Sequence, residues 1–343
     1  NTLNLWKMRK LSLIGKILIV KTLGLSKFIY TASVTDVPDE IYDKVDKLLY
    51  SFIWNNKPAK IKKKTLIGQY EQGGLKAPHF RAMVNAQRAF WIKKYINCHD
   101  ALWKTILDYN LKDYGGTFLC YCNYNADEIG NISSFYQDCF RQWKLILKYI
   151  NYRQEKCHQM VFNNENIKIN GRSVFFCDFK DIGLWTTKDI YDKGKIQSFN
   201  FWKSKGISNR QYLHWRGLID AIPRSYKMAS KQDMQMDDTL KLTENKSILD
   251  AESRDFYKIL LQEIYKQPTA EKYYINVPKE DWEQFYILPW RILFDSETIS
   301  FQYKFINRIL ATKHYLKKIN KISSENCTFC KTYPETFEHL FYD

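Results

Sequence analysis

Apolar residues recur at helical spacing in three stretches near the start of the chain. Residues three or four apart lie on one face of a helix, so this pattern predicts amphipathic helices whose apolar faces pack on a core. The helices are expected to cover Leu11 to about Tyr30, about Pro38 to Trp54, and His79 to Ile96. The third is expected to turn its basic residues outward, namely Arg81, Arg88, Lys93 and Lys94.

The residues that begin and separate these helices support the same assignment. Ser12 can cap the first helix, and Pro38 followed by Asp39 suits the first turn of the second. Between the second and third helices, the basic segment from Lys57 to Lys64 is expected to form an exposed loop or an irregular strand. The pair Gly73–Gly74 is expected to form a turn.

Helical periodicity also dominates the rest of the chain. One exception is Asn166 to Phe179, where alternating apolar residues flank Asn170–Gly171, a pair that favours a tight hairpin turn. Residues 228–252 are polar and poor in large apolar side chains, which predicts a mobile linker. Further helices are expected over Phe135 to Tyr149, Gln211 to Ile222, Phe256 to Tyr265 and Glu297 to Leu310.

The sequence therefore predicts a mainly α fold divided into four regions. Residues 1–96 form a basic helical region, and residues 97–227 form a mixed region that is helical with a small β-hairpin. Residues 228–252 form the linker, and residues 253–343 form a helical C-terminal region. With 45% hydrophobic residues, the chain has enough apolar side chains to fill cores in such regions.

Positive charge is concentrated at the start of the chain. The formal net charge is +16, and residues 1–96 carry 18 Lys and Arg against 6 Asp and Glu. Such a concentration attracts polyanions, and we expect RNA and DNA as partners. A membrane surface is the competing partner, but it would need an amphipathic basic helix and usually a second anchor, and neither is evident. A membrane-spanning segment is not expected either, because the most apolar stretch is interrupted by Lys16, Lys21 and Lys27.

Phosphate contacts are predicted for basic residues around the first helix and in the basic loop. Lys and Arg neutralise backbone phosphates, while neighbouring aromatic rings stack on bases where they are exposed. The predicted contact residues are Lys7, Arg9, Lys10, Lys16, Lys60, Lys62, Lys63 and Lys64. The aromatic candidates beside them are Trp6, Tyr30, Trp54 and Tyr70.

A metal motif occurs at the end of the chain. Cys327 and Cys330 are separated by two residues and His339 follows, a spacing typical of zinc sites because both thiolates of one turn can reach a single ion. The absence of a secretory leader pattern favours a reducing compartment with free or metal-bound thiols. Three ligands leave zinc one short of a tetrahedron, and the fourth is expected just beyond Asp343.

No catalytic motif emerges from the sequence. The only paired aspartates of polymerase type, Asp237 and Asp238, lie in the polar linker instead of between apolar strands. No Gly-rich phosphate loop or nucleophile-elbow motif is present, so neither an enzyme nor a small-molecule substrate is expected. The alternative to nucleic-acid binding is a structural or protein-interaction module whose basic face binds an acidic partner.

Both ends of the chain resemble the C-terminal part of LINE-type (non-LTR) retrotransposon reverse transcriptases. The resemblance is carried by Trp6 to Tyr30, by Phe52-Ile53-Trp54 with Gly73 to Pro78, and by Phe301 to Lys304 with the Cys327, Cys330 and His339 motif. The similar segments cover roughly residues 1–96 and 285–343, in the order in which the family has them.

The resemblance implies a thumb-like helical region at residues 1–96 and an incomplete zinc knuckle at the end of the chain. It implies a non-catalytic region that grips template RNA and target DNA during target-primed reverse transcription, beside an upstream polymerase palm. It also implies an intracellular ribonucleoprotein in the nucleus and cytoplasm, and not a secreted protein. The catalytic aspartates and the endonuclease of the family would lie upstream of the matched segments.

Overall fold

The chain is mainly helical, as the sequence predicts. The computed structural model describes residues 2–98, 100–150, 158–192, 194–230, 241–243, 246–274 and 277–341. The helices are α1 Thr2–Lys7, α2 Leu13–Ile19, α3 Ser26–Val34, α4 Asp39–Ile53, α5 Lys63–Leu66, α6 Phe80–Asn97, α7 Leu102–Asn110, α8 Ser134–Tyr149, α9 Cys177–Asp181, α10 Phe199–Ser204, α11 Tyr212–Ala221, α12 Arg224–Ala229, α13 Ser253–Ile264, α14 Trp282–Ile292, α15 Ser296–Ile306, α16 Lys313–Lys318 and α17 Phe337–Phe341.

Strands are short and form antiparallel pairs in the described residues. The strands are β1 Lys168–Ile169, β2 Arg172–Ser173, β3 Tyr191–Asp192, β4 Lys195–Ile196, β5 Lys241–Thr243 and β6 Lys246–Ser247. They pair as β1 with β2, β3 with β4, and β5 with β6. The first pair is closed by Asn170 and Gly171, which both have positive φ, and this confirms the predicted hairpin turn.

The predicted caps form where the sequence places them. The hydroxyl of Ser12 accepts a hydrogen bond from the backbone N–H of Gly15 and thereby begins α2. Pro38 precedes α4, whose first turn carries Asp39 and Glu40 near the positive end of the helix dipole. Asp295, a cap that the sequence analysis does not predict, accepts from the backbone N–H groups of two following residues and begins α15. These contacts fix the helix starts from local sequence alone.

The chain packs as two compact units. Unit 1 contains Asn1–Tyr30, Val37–Phe80 and Leu261–Asp343, and unit 2 contains Thr31–Asp36 and Arg81–Leu260. Unit 1 therefore draws on segments that are far apart in the sequence. The linear division into four regions does not anticipate this grouping, because periodicity and composition report local structure and not which distant segments pack together.

In unit 1, a π-helical segment, Val20–Leu25, joins α2 to the start of α3. Such a segment inserts a residue into the helical ladder and shifts which side chains face inward. Val20 and Leu25 are fully buried, and Leu49 of α4 is buried with them. Gly24 lies beside α4, and a Cβ there would be in ordinary van der Waals contact with the Leu49 side chain at 3.6 Å. The predicted first helix thus forms as one rod with a local irregularity.

The Gly73–Gly74 turn is confirmed, and close packing requires both glycines. Gly73 has a φ of 74°, in the left-handed region that favours glycine. A Cβ on Gly74 would lie 2.1 Å from the carbonyl oxygen of Gly68, so only glycine allows the backbone to approach this closely. The turn lets the backbone N–H of Leu75 donate to the carbonyl of Leu66 at 2.9 Å.

An aromatic and aliphatic core fills the part of unit 2 that includes the hairpin. Its largest members, Trp202 and Trp215, lie 5.6 Å apart between ring centroids. Phe179 stacks on Trp215 at 6.0 Å. The remaining buried residues of this core are Val161, Phe162, Ile167, Leu184, Ile190, Ile207, Leu218, Ile219 and Ile222. The middle of the chain, where the sequence pattern is weakest, therefore has a core of its own.

Arg88 was expected to face outward from the third helix, and this expectation is wrong. Its side chain is only 2% exposed. The guanidinium lies 3.0 Å from a carboxylate oxygen of Asp138 and donates to the backbone carbonyl of Thr35 at 2.6 Å. It also lies over the ring of Phe135 at 5.2 Å. A charged residue is usually expected to face solvent, but Arg88 can be buried because its charge is paired with a carboxylate.

Two other expectations need correction. The basic loop ends early, because Lys63 and Lys64 lie in the short helix α5. The strands around Asn170–Gly171 are short, and α9 occupies part of the expected second strand.

The predicted linker over residues 228–252 is described only in part. Residues 231–240, which include Asp237 and Asp238, and residues 244–245 lie outside the described part. The described remainder contains β5, β6 and a 3₁₀ turn.

The rod formed by α2, the π-helical segment and α3 is also long and apolar enough to cross a membrane. It spans Leu13–Val34, 22 residues, and 28% of its most apolar window is buried. This finding rests on length and composition alone, and a core helix of a water-soluble protein can meet the same criteria.

Candidate metal centre and nucleic-acid interface

Cys327, Cys330 and His339 converge at the end of unit 1. One ligand atom from each lies within 4.8 Å of the others. The closest pair is the Cys330 sulfur and Nε2 of His339, which are 3.1 Å apart. Cys327 is buried, whereas Cys330 is exposed. The predicted motif is therefore brought together as three potential ligands of one ion.

A tight backbone turn from Cys327 to Tyr333, which we call the metal turn, arranges the two thiols. The N–H of Cys327 donates to the carbonyl of Tyr333 at 2.8 Å, and the N–H of Lys331 donates back to the carbonyl of Cys327 at 3.0 Å. Lys331 adopts a positive φ of 61°, which reverses the chain directly after Cys330. The backbone N–H groups of Tyr333 and Thr332 lower the pKa of the Cys330 thiol to about 6. This shift favours the thiolate, which is the form that binds metals.

The side chain of Glu335 is hydrogen-bonded to this turn. Its carboxylate is buried and accepts hydrogen bonds from the backbone N–H of Thr328 at 3.2 Å and from the Thr328 hydroxyl at 3.0 Å. Its other oxygen accepts from the backbone N–H of Lys313 at 3.0 Å. Burial opposes ionisation, but these hydrogen bonds outweigh it and lower the pKa of Glu335. The turn next to Cys327 is thereby fastened to the start of α16.

The donor set fits a divalent ion with affinity for sulfur and nitrogen. Two thiols and one imidazole are the ligands that zinc takes in proteins, and an open fourth position accepts water or a further side chain. The arrangement is compatible with zinc. With three protein ligands, water would complete the tetrahedron.

We expect replacement of Cys330 by serine to abolish specific metal binding, because a hydroxyl is a poor ligand for zinc and two ligands remain. Cobalt(II) titration checks this, since thiolate coordination gives a characteristic absorption band. Cys177→Ser is the matched control, because Cys177 is an exposed cysteine of unit 2 that lies outside the motif. An equal cobalt spectrum in the Cys330 variant would contradict the assignment.

The predicted phosphate-binding residues fall into three groups. Lys7, Arg9 and Lys10 are exposed around the end of α1, and Arg9 lies 5.8 Å from the ring of Trp6. Lys62 and Lys64 are exposed, whereas Lys63 forms an ion pair with Asp46 of α4. Lys63 is therefore partly neutralised. The third group contains Lys16 and Lys60, which have the charges of Lys57 and Lys304 as common neighbours.

Lysines from distant segments of unit 1 meet around Lys16 and Lys60. Partial burial, followed by the charges of Lys304 and Lys57, lowers the pKa of Lys16. Partial burial and the same two charges also lower the pKa of Lys60, and Lys321 adds to the effect. The neighbouring charges that lower these two pKa values belong to lysine ammonium groups. We call Lys16, Lys57, Lys60, Lys304 and Lys321 the lysine cluster.

Neutral groups hold the lysine cluster in place. The ammonium of Lys16 donates to the side-chain oxygen of Asn55 at 2.7 Å. The ammonium of Lys60 donates to the carbonyl of Ile309 at 2.9 Å and lies 5.7 Å from the ring centroid of Tyr315, which is 42% exposed. Neutral acceptors and a ring orient the ammonium groups without cancelling their charge. Such a surface is suited to a polyanion.

The aromatic candidates have different surroundings. Tyr30 is 79% exposed, whereas Tyr70 stacks on Trp290 with 3.7 Å between centroids. The ring of Tyr70 also lies 4.1 Å from the ammonium of Lys76. The ring of Tyr70 therefore packs against other residues of unit 1. Tyr315, which the sequence did not single out, is the exposed ring that lies at the lysine cluster.

Sequence reasoning missed three members of the lysine cluster and the carboxylate behind the metal turn. Lys304 and Lys321 lie on segments more than 200 positions from Lys16 and Lys60, so no local pattern connects them. Lys57 lies in the predicted basic loop but is not among the predicted phosphate contacts. Glu335 lies between Cys330 and His339 in the sequence, yet only its hydrogen bonds reveal its role. No family model matches this chain.

Proposed function

We propose that this chain binds nucleic acid through unit 1, as a non-catalytic C-terminal region of a LINE-type reverse transcriptase. In this role it grips template RNA and target DNA beside the polymerase domain. The observation that carries the binding proposal is the lysine cluster, in which five lysines from four segments of unit 1 lie close enough for their charges to act on Lys16 and Lys60. The family assignment is supported by the sequence resemblance of both ends of the chain. Most of both resembling segments belongs to unit 1.

The chemistry of the lysine cluster favours a phosphate backbone. A flexible chain of phosphates can contact several ammonium groups in turn and release condensed counterions as it does so. Tyr315 adds a ring on which an unpaired base can stack beside Lys60. The cluster contains lysines and lacks arginine, so its contacts are expected to be point-charge contacts that position the nucleic acid without reading its sequence.

A paired titration of the full chain tests this proposal. We expect a short fluorescein-labelled single-stranded RNA to bind with an affinity that falls steeply as salt rises, since several phosphates are neutralised. A poly-glutamate peptide of equal charge is expected to bind more weakly, because it lacks bases to stack and spaces its carboxylates differently. Fluorescence anisotropy at several salt concentrations measures both.

Equal binding of the peptide and the RNA would favour the protein-interaction alternative. RNA of scrambled sequence is the control for specificity and should bind as the first RNA does. Failure of RNA to bind at low ionic strength would refute the proposed function.

A further inference from the structure

The metal turn and the lysine cluster share structural supports in unit 1. Two routes connect them, one through Glu335 and α16, and one through α17 and α15. Both routes consist of direct contacts between named side chains and short elements.

The first route begins at the residue after Cys327. Thr328 donates to the carboxylate of Glu335 from its backbone and its hydroxyl, and the same carboxylate accepts the backbone N–H of Lys313. The backbone N–H of His314 also donates to the carbonyl of Glu335 at 3.2 Å. The first turn of α16 is therefore hydrogen-bonded to the metal turn.

The helix α16 then reaches the lysine cluster at two points. The ring of Tyr315 lies 5.7 Å from the ammonium of Lys60. At the other end of the helix, the backbone N–H of Lys321 donates to the carbonyl of Leu316 at 2.9 Å, which sets the position of that lysine. A shift of α16 would therefore move Lys321 and release Lys60 from its ring partner.

The second route runs through the helix that carries the third metal ligand. His339 lies in α17, whose Phe337 and Phe341 pack on Phe305 at 5.1 and 4.8 Å between centroids. Phe305 follows Lys304 directly in α15. The ion pair between Arg308 and Glu338, at 2.6 Å, adds a polar link between the two segments. Fixing His339 therefore also restrains the backbone beside Lys304.

A turn of this size has little core to hold it. Cys330, Phe329 and Tyr333 are exposed, so burial of apolar surface contributes little to its order. A metal ion bound by all three ligands would supply the missing restraint, as it does in small metal-ordered modules. The order of α16 and α17 should follow, because both are short and rely on the contacts described above.

We propose that metal binding at Cys327, Cys330 and His339 raises the affinity of the lysine cluster for nucleic-acid phosphates. The inference rests on the proposed function, since it names the regulation of the same site. The coupling is reciprocal: bound RNA must raise the metal affinity by the same factor.

The experiment compares RNA binding by the full chain after dialysis against a chelator and after addition of zinc. We expect the affinity for a short labelled single-stranded RNA to increase about tenfold on zinc addition, within the range usual for coupled sites. Glu335→Gln is expected to retain cobalt binding through its three ligands while losing most of the increase, since the carboxylate link to Lys313 is weakened. Glu283→Gln, which removes an exposed carboxylate of α14 that lies on neither route, should retain the full increase.

The outcomes separate this inference from the proposed function. Salt-dependent RNA binding that is equal with and without zinc would overturn the coupling and leave nucleic-acid binding intact. Absence of RNA binding in both states would overturn the proposed function and this inference with it. Circular dichroism checks that the chelated protein keeps its helices outside the turn, and a global loss of helix would also contradict a coupling confined to α16 and α17.

Discussion

Replacing Arg88 by alanine is expected to destabilise unit 2 by about 3–5 kcal/mol. The guanidinium is 2% exposed and has carboxylates on either side, Asp138 at 3.0 Å and Asp36 at 3.7 Å. Removing it leaves the Thr35 carbonyl without its donor at 2.6 Å. It also leaves an unfilled space under the ring of Phe135. Urea unfolding followed by circular dichroism and tryptophan fluorescence measures the loss.

Lys94→Ala provides the control on the same helix. Lys94 is exposed, and its charge lies over Phe90 and Trp91 at 5.2 and 4.8 Å, so its removal should cost less than about 1 kcal/mol. Asp138→Ala and the double variant complete a cycle that separates the ion pair from packing, and we expect a coupling energy above about 1 kcal/mol. A loss in Arg88→Ala no larger than that in Lys94→Ala would show that the buried charge contributes nothing to stability.

The double replacement Lys60→Ala and Lys304→Ala is expected to lower RNA affinity by about 10- to 100-fold at low salt. Both side chains lie in the lysine cluster, and each phosphate contact that is lost removes the release of a counterion. The slope of the logarithm of affinity against the logarithm of salt concentration should therefore become shallower by about 1–2. Anisotropy titrations at several salt concentrations give both numbers.

The matched control is the pair Lys44→Ala and Lys180→Ala, which removes the same charge elsewhere. These lysines pair with Glu40 at 3.5 Å and with Asp181 at 2.6 Å, so each already has an anionic partner. We expect the control to keep nearly the full slope. If both double variants lost the same affinity, the general charge of the chain would explain binding and the lysine cluster would have no special role.

Much of the fold could be predicted because its causes are local. Helical spacing of apolar residues indicated the rods of unit 1, and Ser12 began the first of them as expected. The positive φ angles at Asn170 and Gly171 follow from residue types that tolerate them. The metal motif could be found in the same way, because two cysteines in one turn and a nearby histidine need no distant partner.

The sequence by itself determined where helices begin, where the chain turns, and which three residues can share an ion. Only the tertiary structure decided that Arg88 is buried, that Lys63 pairs with Asp46, and that Lys304 joins Lys16 and Lys60. The physical reason is that backbone hydrogen bonds and caps act over a few residues, whereas burial and charge depend on distance in space. A lysine acquires its neighbours from the packing of helices, and that packing unites segments from both ends of the chain.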